Sequence, residues 1–186
     1  MGRDKALVTV GVEETPLIAR VERALSEAAG EILLATSDPE PYAFLGRAHV
    51  ADARPDAGPL GGLVAGLEAL ARHEIVCVVA CDLPFVTSDA FRALSARLRE
   101  APHVDAVVPT TEKGDEPLLA AYRPRAARAL RRALESGRLA VHEAISEIVV
   151  QRAPAESIAP ECAFWNVNDP QCLHEASLLE ARSAAR

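Results

Sequence analysis

The sequence predicts an α/β domain with a largely parallel sheet. Apolar runs of strand length alternate along the chain with segments whose apolar residues recur at helical spacing, as in parallel strands joined by helices. The run over residues 75–80, Ile-Val-Cys-Val-Val-Ala, is mainly β-branched, and we place it at the centre of the sheet. A length of 186 residues suits a single domain over residues 1–186.

The first half of the chain combines short apolar runs with two helical patterns. Thr15 and Pro16 are typical of an N-cap and a first helical position, and Gly30 is typical of the residue after a helix. In chain order we expect an extended run at 6–10, a helix over 16–29, a strand at 31–36, a helical turn at 42–45, a strand at 49–52 and a helix over 60–72.

The second half continues the alternation after the central strand. Gly137 ends a basic helical pattern, and Asp169-Pro170 is typical of the start of a helix. We expect helices over 88–99, 124–136, 139–145 and 170–182, strands at 105–109 and 117–122, and extended segments at 147–151 and 164–168.

Composition excludes several classes of protein. The net charge of −7 argues against non-specific nucleic-acid binding, and no apolar run approaches the length of a membrane span. The first residues lack the apolar core of a signal peptide. The four cysteines, which we interpret as small packing residues, do not form a dense disulfide framework, so a reducing cytoplasm is the expected compartment.

Two carboxylates follow predicted strands, at the sheet edge where open α/β sheets bind ligands. Asp82 comes directly after the central strand, and Asp52 ends another. A carboxylate there suits Mg²⁺, which binds carboxylate and phosphate oxygens, although a turn Asp that accepts backbone hydrogen bonds is the competing interpretation. The loop Gly58-Pro59-Leu60-Gly61-Gly62 precedes a helix and suits either a phosphate at the helix N-terminus or tight helix–sheet packing.

Three further polar residues are distinguished by rarity. Lys5 is one of only two lysines in a chain that otherwise uses arginine, and Asn166 and Asn168 are its only asparagines. A lysine is a compact charge suited to phosphate oxygens, and in an extended segment the two amides would share one face. The competing interpretations are a solvated terminal charge for Lys5 and turn chemistry for the two asparagines.

Taken in order, five motifs resemble one family. Met1-Gly2-Arg3-Asp4-Lys5 resembles the second half of the nucleotidyltransferase signature L-A-G-G-x-S-x-R-M-G-x-D-K. The others are Asp52 with Gly58-Pro59-Leu60-Gly61-Gly62, Cys81-Asp82-Leu83-Pro84-Phe85, Glu116-Pro117-Leu118 with Tyr122, and Asn166-Val167-Asn168-Asp169-Pro170. The family is that of the molybdenum cofactor guanylyltransferases (MobA-like). The resemblance implies a Rossmann-like three-layer sheet of the nucleotide-diphospho-sugar transferase type.

The resemblance also implies an activity, transfer of GMP from GTP to the phosphate of molybdopterin-bound molybdenum cofactor with release of pyrophosphate. Lys5 and Asp82 would be catalytic, with Asp82 holding Mg²⁺. The nucleotide would be bound by Lys5, Asp52, Asp82 and the loop residues Gly58, Pro59, Leu60 and Gly62. Asn166 and Asn168 would face the cleft for the cofactor substrate, and cofactor-assembly proteins or molybdoenzymes are the expected protein partners.

One departure from the family leaves alternatives open. The first half of the signature, which comprises the first strand and a glycine turn, has no counterpart here, so we expect the true start to lie upstream of Met1. A related nucleotidyltransferase that uses CTP or another acceptor, and an inactive, truncated, binding-only protein, are the alternatives. Asp169 replaces the family's usual Thr in the last motif, and both residues are good N-caps.

Overall fold

A computed structural model gives the architecture of residues 4–10, 15–167 and 172. The α-helices of this part are α1 (Leu17–Ser26), α2 (Pro59–Ala69), α3 (Ser88–Glu100), α4 (Ala127–Glu135) and α5 (Val141–Ala144). The strands are β1 (Leu33–Ala35), β2 (Ala48–Val50), β3 (Val76–Val79), β4 (Ala106–Thr111), β5 (Gly114–Asp115), β6 (Leu119–Tyr122) and β7 (Val150–Pro154).

The strands form two sheets. In the small one, β1 and β2 pair in parallel. In the large one, β6 lies between β3 and β4 and runs antiparallel to both, the short β5 forms a hairpin with β4, and β7 pairs with β4 in parallel. The predicted α/β class is confirmed, and β3, β4 and β7 share one direction. The large sheet is nevertheless mixed, because the chain returns through β5 and β6 by a short hairpin instead of a helix.

Helices cover both faces of the large sheet. Along β6, Leu119 and Ala121 belong to an apolar cluster that includes α3, whereas Ala120 and Tyr122 belong to a second cluster that includes α2 and α4. Successive strand residues point to opposite faces, so the two clusters lie on opposite sides of the sheet. This arrangement is the expected three-layer architecture.

Strand β3 pairs on one side only within the described residues. The Ala80 amide donates to the Leu118 carbonyl at 2.8 Å, and the antiparallel alternation therefore directs the amides of Val76 and Val78 towards β6 and those of Cys77 and Val79 away from it. The prediction of a central position for this strand is thus not met among these residues, where β3 forms an edge of its sheet.

Other elements differ from the sequence predictions for local reasons. The run at 6–10 opens with a 3₁₀ turn, Lys5–Leu7, since the Asp4 side chain accepts a hydrogen bond from the Ala6 amide. Phe164 closes a 3₁₀ turn, Glu161–Phe164, instead of starting an extended segment. Cys162 is exposed, so its predicted packing role is wrong. The predicted helix at 170–182 lies, apart from Cys172, outside the described residues.

Among the helices of the described residues, none is both long and apolar enough to cross a lipid bilayer.

Candidate active site

The pairing of β3 with β6 brings Asp82 and Glu116 to one edge of the large sheet. Because the two strands are antiparallel, the residues after β3 and those before β6 meet at the same edge. Glu116 is fixed there by two backbone hydrogen bonds, from its own amide to the Pro109 carbonyl and from the Leu119 amide to its carbonyl. Burial and, less strongly, the nearby Asp82 charge raise the pKa of Glu116.

Asp82 presents a shielded oxygen at this edge. Its Oδ1 atom is buried and accepts no hydrogen bond from the described residues, while the following Leu83 is 2% exposed and belongs to the core. Burial raises the pKa of the Asp82 carboxyl, and a backbone hydrogen bond and the Lys5 ammonium oppose that shift. An ionised carboxylate with a shielded, unsatisfied oxygen is a natural ligand for a cation.

Lys5, near the N-terminus of the chain, acts on this edge through its charge. It is half-buried and opens the 3₁₀ turn capped by Asp4. Its charge lowers the pKa of Asp82 and also that of the Cys81 thiol, which burial and the Asp82 and Asp4 charges together raise to about 11. The Lys5 charge thus acts on Asp82, while the catalytic roles of the two residues stay predictions.

The C-terminal part of the described chain closes on Asp82 as well. The Val167 amide donates to the Asp82 carbonyl oxygen at 2.9 Å, and Val167 packs with Val10 and Leu17 in a small apolar cluster. The adjacent Asn166 is half-buried and so lies next to the residue that contacts Asp82. Asn168 is outside the described residues.

Asp52 and the glycine loop form a group at the start of α2. Ideal Cβ atoms would lie 3.3 Å from the Asp52 Cβ at Gly61 and 3.2 Å from Asp52 Oδ1 at Gly62, so both glycines let this carboxylate approach the helix. Gly58 has φ 59° and ψ −155°, a conformation that favours glycine, and Pro59 begins the helix. Leu60 is fully buried as a residue, so the structure does not present it to a ligand, in contrast to the exposed Gly58 and Pro59 of the same loop.

Three site residues were not predicted as such from the sequence. Glu116 opens one of the five motifs, but only the β3–β6 register shows that it lies near Asp82. Asp4 precedes Lys5, and its capping role follows from the turn. Tyr42 donates a hydrogen bond from its hydroxyl to Asp4 Oδ2 at 2.5 Å, and no sequence pattern links two residues so far apart.

The carboxylates of the site fit a metal ion whose remaining ligands come from a substrate and water. Within the described residues, no group of three or more His, Cys, Asp or Glu side chains could hold a metal ion. Mg²⁺ is commonly bound by one or two carboxylates, with substrate phosphates and water completing its shell. Asp82 with its unpartnered oxygen, and Glu116 beside it, match that chemistry.

Comparison with known proteins gives consistent matches. The family model described as the MobA-like NTP transferase domain matches residues 1–158. A probable molybdenum cofactor guanylyltransferase of Pelotomaculum thermopropionicum is 30% identical, over 98% of this chain and 88% of its own. The molybdenum cofactor guanylyltransferase of Pseudomonas putida is 31% identical, over 92% of this chain and 87% of its own.

Solved structures agree on the fold. The molybdopterin-guanine dinucleotide biosynthesis protein A of Archaeoglobus fulgidus superposes with a TM-score of 0.80 at 25% identity, covering 97% of this chain and 92% of that one. The 2-C-methyl-D-erythritol 4-phosphate cytidylyltransferase of Thermus thermophilus gives a TM-score of 0.70 at 20% identity, covering 95% and 94%. The second likeness concerns the fold alone.

Proposed function

Since the chain belongs to the family of MobA-like NTP transferase domains, we propose that it transfers GMP from GTP to the terminal phosphate of molybdopterin-bound molybdenum cofactor. The single observation that carries this is the shielded and unpartnered Oδ1 of Asp82 at the sheet edge, on a carboxyl whose pKa the nearby Lys5 ammonium lowers. A carboxylate for a cation and an ammonium for phosphate oxygens are the two charges that nucleotidyl transfer requires.

The reaction asks little covalent chemistry of the protein. An oxygen of the acceptor phosphate attacks the α-phosphorus of GTP and forms the new P–O bond. The bond from the α-phosphorus to the oxygen that bridges to the β-phosphorus breaks, and its electron pair leaves with pyrophosphate. Positioning and charge stabilisation therefore supply the rate enhancement.

The residues of the site divide this work. Asp82, with Glu116 beside it, would hold Mg²⁺, which when bound neutralises charge on the phosphate oxygens. Lys5 balances the negative charge that builds up on the phosphates during transfer. We assign nucleotide binding to Asp52 and the loop over residues 58–62 at the start of α2, and binding of the cofactor substrate to Asn166 and Asn168.

Pyrophosphate release from GTP, in the presence of Mg²⁺ and purified molybdenum cofactor, is the direct test. We expect the wild-type chain to release pyrophosphate and Asp82→Asn to lower kcat by roughly 10²–10³-fold, the scale of losing one transition-state charge contact. Asp89→Asn is the matched control, because Asp89 is an exposed carboxylate on α3 whose side chain pairs with Arg92.

The alternatives give different results in the same assay. Faster release from CTP than from GTP would replace the guanylyl assignment with a related transferase. No release from either nucleotide, together with no Mg²⁺-dependent nucleotide binding by calorimetry, would contradict an enzymatic role. Equal rates for Asp82→Asn and the Asp89→Asn control would remove Asp82 from the mechanism.

A further inference from the structure

A hydrogen bond connects a distant turn of the chain to the residue that precedes Lys5. Asp4, the residue before it, uses both carboxylate oxygens: Oδ1 accepts from the Ala6 amide at 3.0 Å, and Oδ2 accepts from the Tyr42 hydroxyl at 2.5 Å. The first bond closes the turn that contains Lys5. The second ties that turn to a 3₁₀ segment, Glu40–Leu45, which lies between β1 and β2.

Tyr42 is well placed to act as an anchor. Its ring lines a groove of about 360 Å³, together with Leu34 and His49, which are paired neighbours on β1 and β2. Burial and the hydrogen bond to Asp4 raise the pKa of the Tyr42 hydroxyl well above its usual range. The hydroxyl therefore remains a proton donor throughout the neutral pH range.

The other end of the arrangement is the charged edge of the large sheet. At this edge the Lys5 ammonium is near enough to lower the pKa of both the Asp82 carboxyl and the Cys81 thiol. The Tyr42–Asp4 hydrogen bond therefore ties to the β1–β2 unit the same turn that carries the Lys5 ammonium. We infer that Tyr42 and Asp4 are positioning residues that hold the Lys5 ammonium against Asp82, so that the small β1–β2 sheet orients a charge used at the large sheet.

The inference rests on the proposed function for its catalytic consequence but not for its structural one. Without the Tyr42 hydroxyl, the turn keeps its Asp4–Ala6 bond and loses its link to the β1–β2 unit. Lys5 then samples more positions, and the phosphate charge is met less often in the productive geometry. For Tyr42→Phe we expect kcat to fall roughly 10–10²-fold while the KM for GTP changes little.

The scarcity of lysine allows a direct readout of the Lys5 position. Lys5 and Lys113 are the only lysines in the chain, so reductive methylation with ¹³C-formaldehyde gives two ε-amine NMR signals while preserving their charge. Lys113→Arg assigns them. In Tyr42→Phe we expect the Lys5 signal to move towards that of the exposed Lys113, which itself stays unchanged.

Tyr122→Phe is the matched control, because it removes the same atom elsewhere. The Tyr122 hydroxyl donates to the Pro117 carbonyl at 2.8 Å from a fully buried ring. Its loss lowers Tm and leaves the Lys5 signal in place, so general loss of stability is separated from loss of position. An unmoved Lys5 signal in Tyr42→Phe would overturn the inference, as would an equal displacement in Tyr122→Phe.

A double-mutant cycle completes the test. Asp4→Ala removes the acceptor, and Tyr42→Phe in that background should produce no further change in the Lys5 signal or in kcat. Additive effects would show that the two residues act separately and would contradict the inference. The NMR readout needs no substrate, so a failure of guanylyl transfer and a failure of the positioning role are distinguishable.

Discussion

At the residue scale, Asp82 illustrates how a buried carboxylate opposes stability. Burial favours the neutral form of its carboxyl and raises its pKa, and its Oδ1 has no hydrogen-bond partner among the described residues. The contribution of the buried, neutral carboxyl to the free energy of unfolding is fully present below the pKa of the unfolded chain, about 3.9. It is lost as the pH rises through the higher pKa of the folded protein.

Asp82→Asn should therefore stabilise the metal-free protein at pH 7. The amide carries no charge at any pH, so the variant avoids the loss that the wild type suffers above its folded-state pKa. We expect a higher Tm for the variant at pH 7 in EDTA, by roughly 2–4 °C for each kcal/mol recovered. The difference should shrink near pH 3.5, where the wild-type carboxyl is mostly protonated in both states.

Differential scanning calorimetry at the two pH values measures this, with the exposed Asp89→Asn as control. A variant less stable than the wild type at pH 7, or a pH-independent difference, would contradict the role assigned to burial.

Individual residues also show what the sequence alone can and cannot indicate about the site. The sequence singles out Asp82 because it follows a strongly β-branched strand, and Lys5 because lysine is rare here and stands in a segment that resembles the family signature; the roles of both stay predictions. Tyr42 is not singled out, since its partner Asp4 is 38 positions away and their meeting depends on how two turns pack. Contacts between loops leave no periodic trace in a sequence, so only the folded chain reveals them.

At the scale of elements, α2 contains one glycine inside the helix and follows another whose backbone conformation favours glycine. Gly58, the residue before the helix, has φ 59° and ψ −155°, whereas an ideal Cβ at Gly66, inside the helix, meets nothing within 4 Å. The two glycines thus have opposite reasons to be present. Gly58 permits the backbone turn before the helix, whereas Gly66 makes the helix less stable than alanine would at the same position.

Alanine at these two positions should act in opposite directions. Gly58→Ala places a side chain in a conformation that costs about 1–3 kcal/mol, so the free energy of unfolding should fall by that amount. Gly66→Ala should raise it by about 0.5–1 kcal/mol, the ordinary gain of alanine over glycine within a helix. Urea unfolding measures both. A stabilising Gly58→Ala would show that the turn relaxes without strain.

Strands and helices of the core were largely predictable, whereas their ends and short turns were not. The apolar pattern located α2 and α3 and the runs of β3 and β4 to within a few residues. It treated residues 6–10 as an extended run, because alternation alone does not reveal that Asp4 caps a 3₁₀ turn. Side-chain capping competes locally with the hydrophobic pattern, and here it decides the backbone at Lys5–Leu7.

For the molecule as a whole, the site depends on a small third cluster. Val10, Leu17 and Val167 are all essentially inaccessible to solvent and pack together, and Phe85, close after Asp82, packs against them. This cluster joins the segment after the Lys5 turn to the start of α1 and to the segment that carries Asn166. With Phe85, it therefore brings together three distant parts of the chain beside Asp82: the N-terminal segment, the residues after β3 and the segment around residue 167.

Val167→Ala should weaken both stability and the site. Removing two buried methyl groups costs about 1–3 kcal/mol, and the backbone bond from Val167 to the Asp82 carbonyl loses its apolar support. We expect a lower free energy of unfolding and weaker Mg²⁺·GTP binding by calorimetry. Val149→Ala is the control, because Val149 is 53% exposed. Unchanged binding in a destabilised Val167→Ala would separate the cluster from the site.

The hydrogen bond between Val167 and Asp82 has a consequence for biosynthesis. As the ribosome makes the chain from its N-terminus, Lys5, β3 and Asp82 emerge long before residue 167, and the packing of Val10 and Leu17 waits for the same valine. A nascent chain arrested before this point lacks the contact that closes the loop after β3. Since β7 (Val150–Pro154) also emerges late and completes the large sheet, the sheet and the contact at Asp82 should both be finished only near the end of translation.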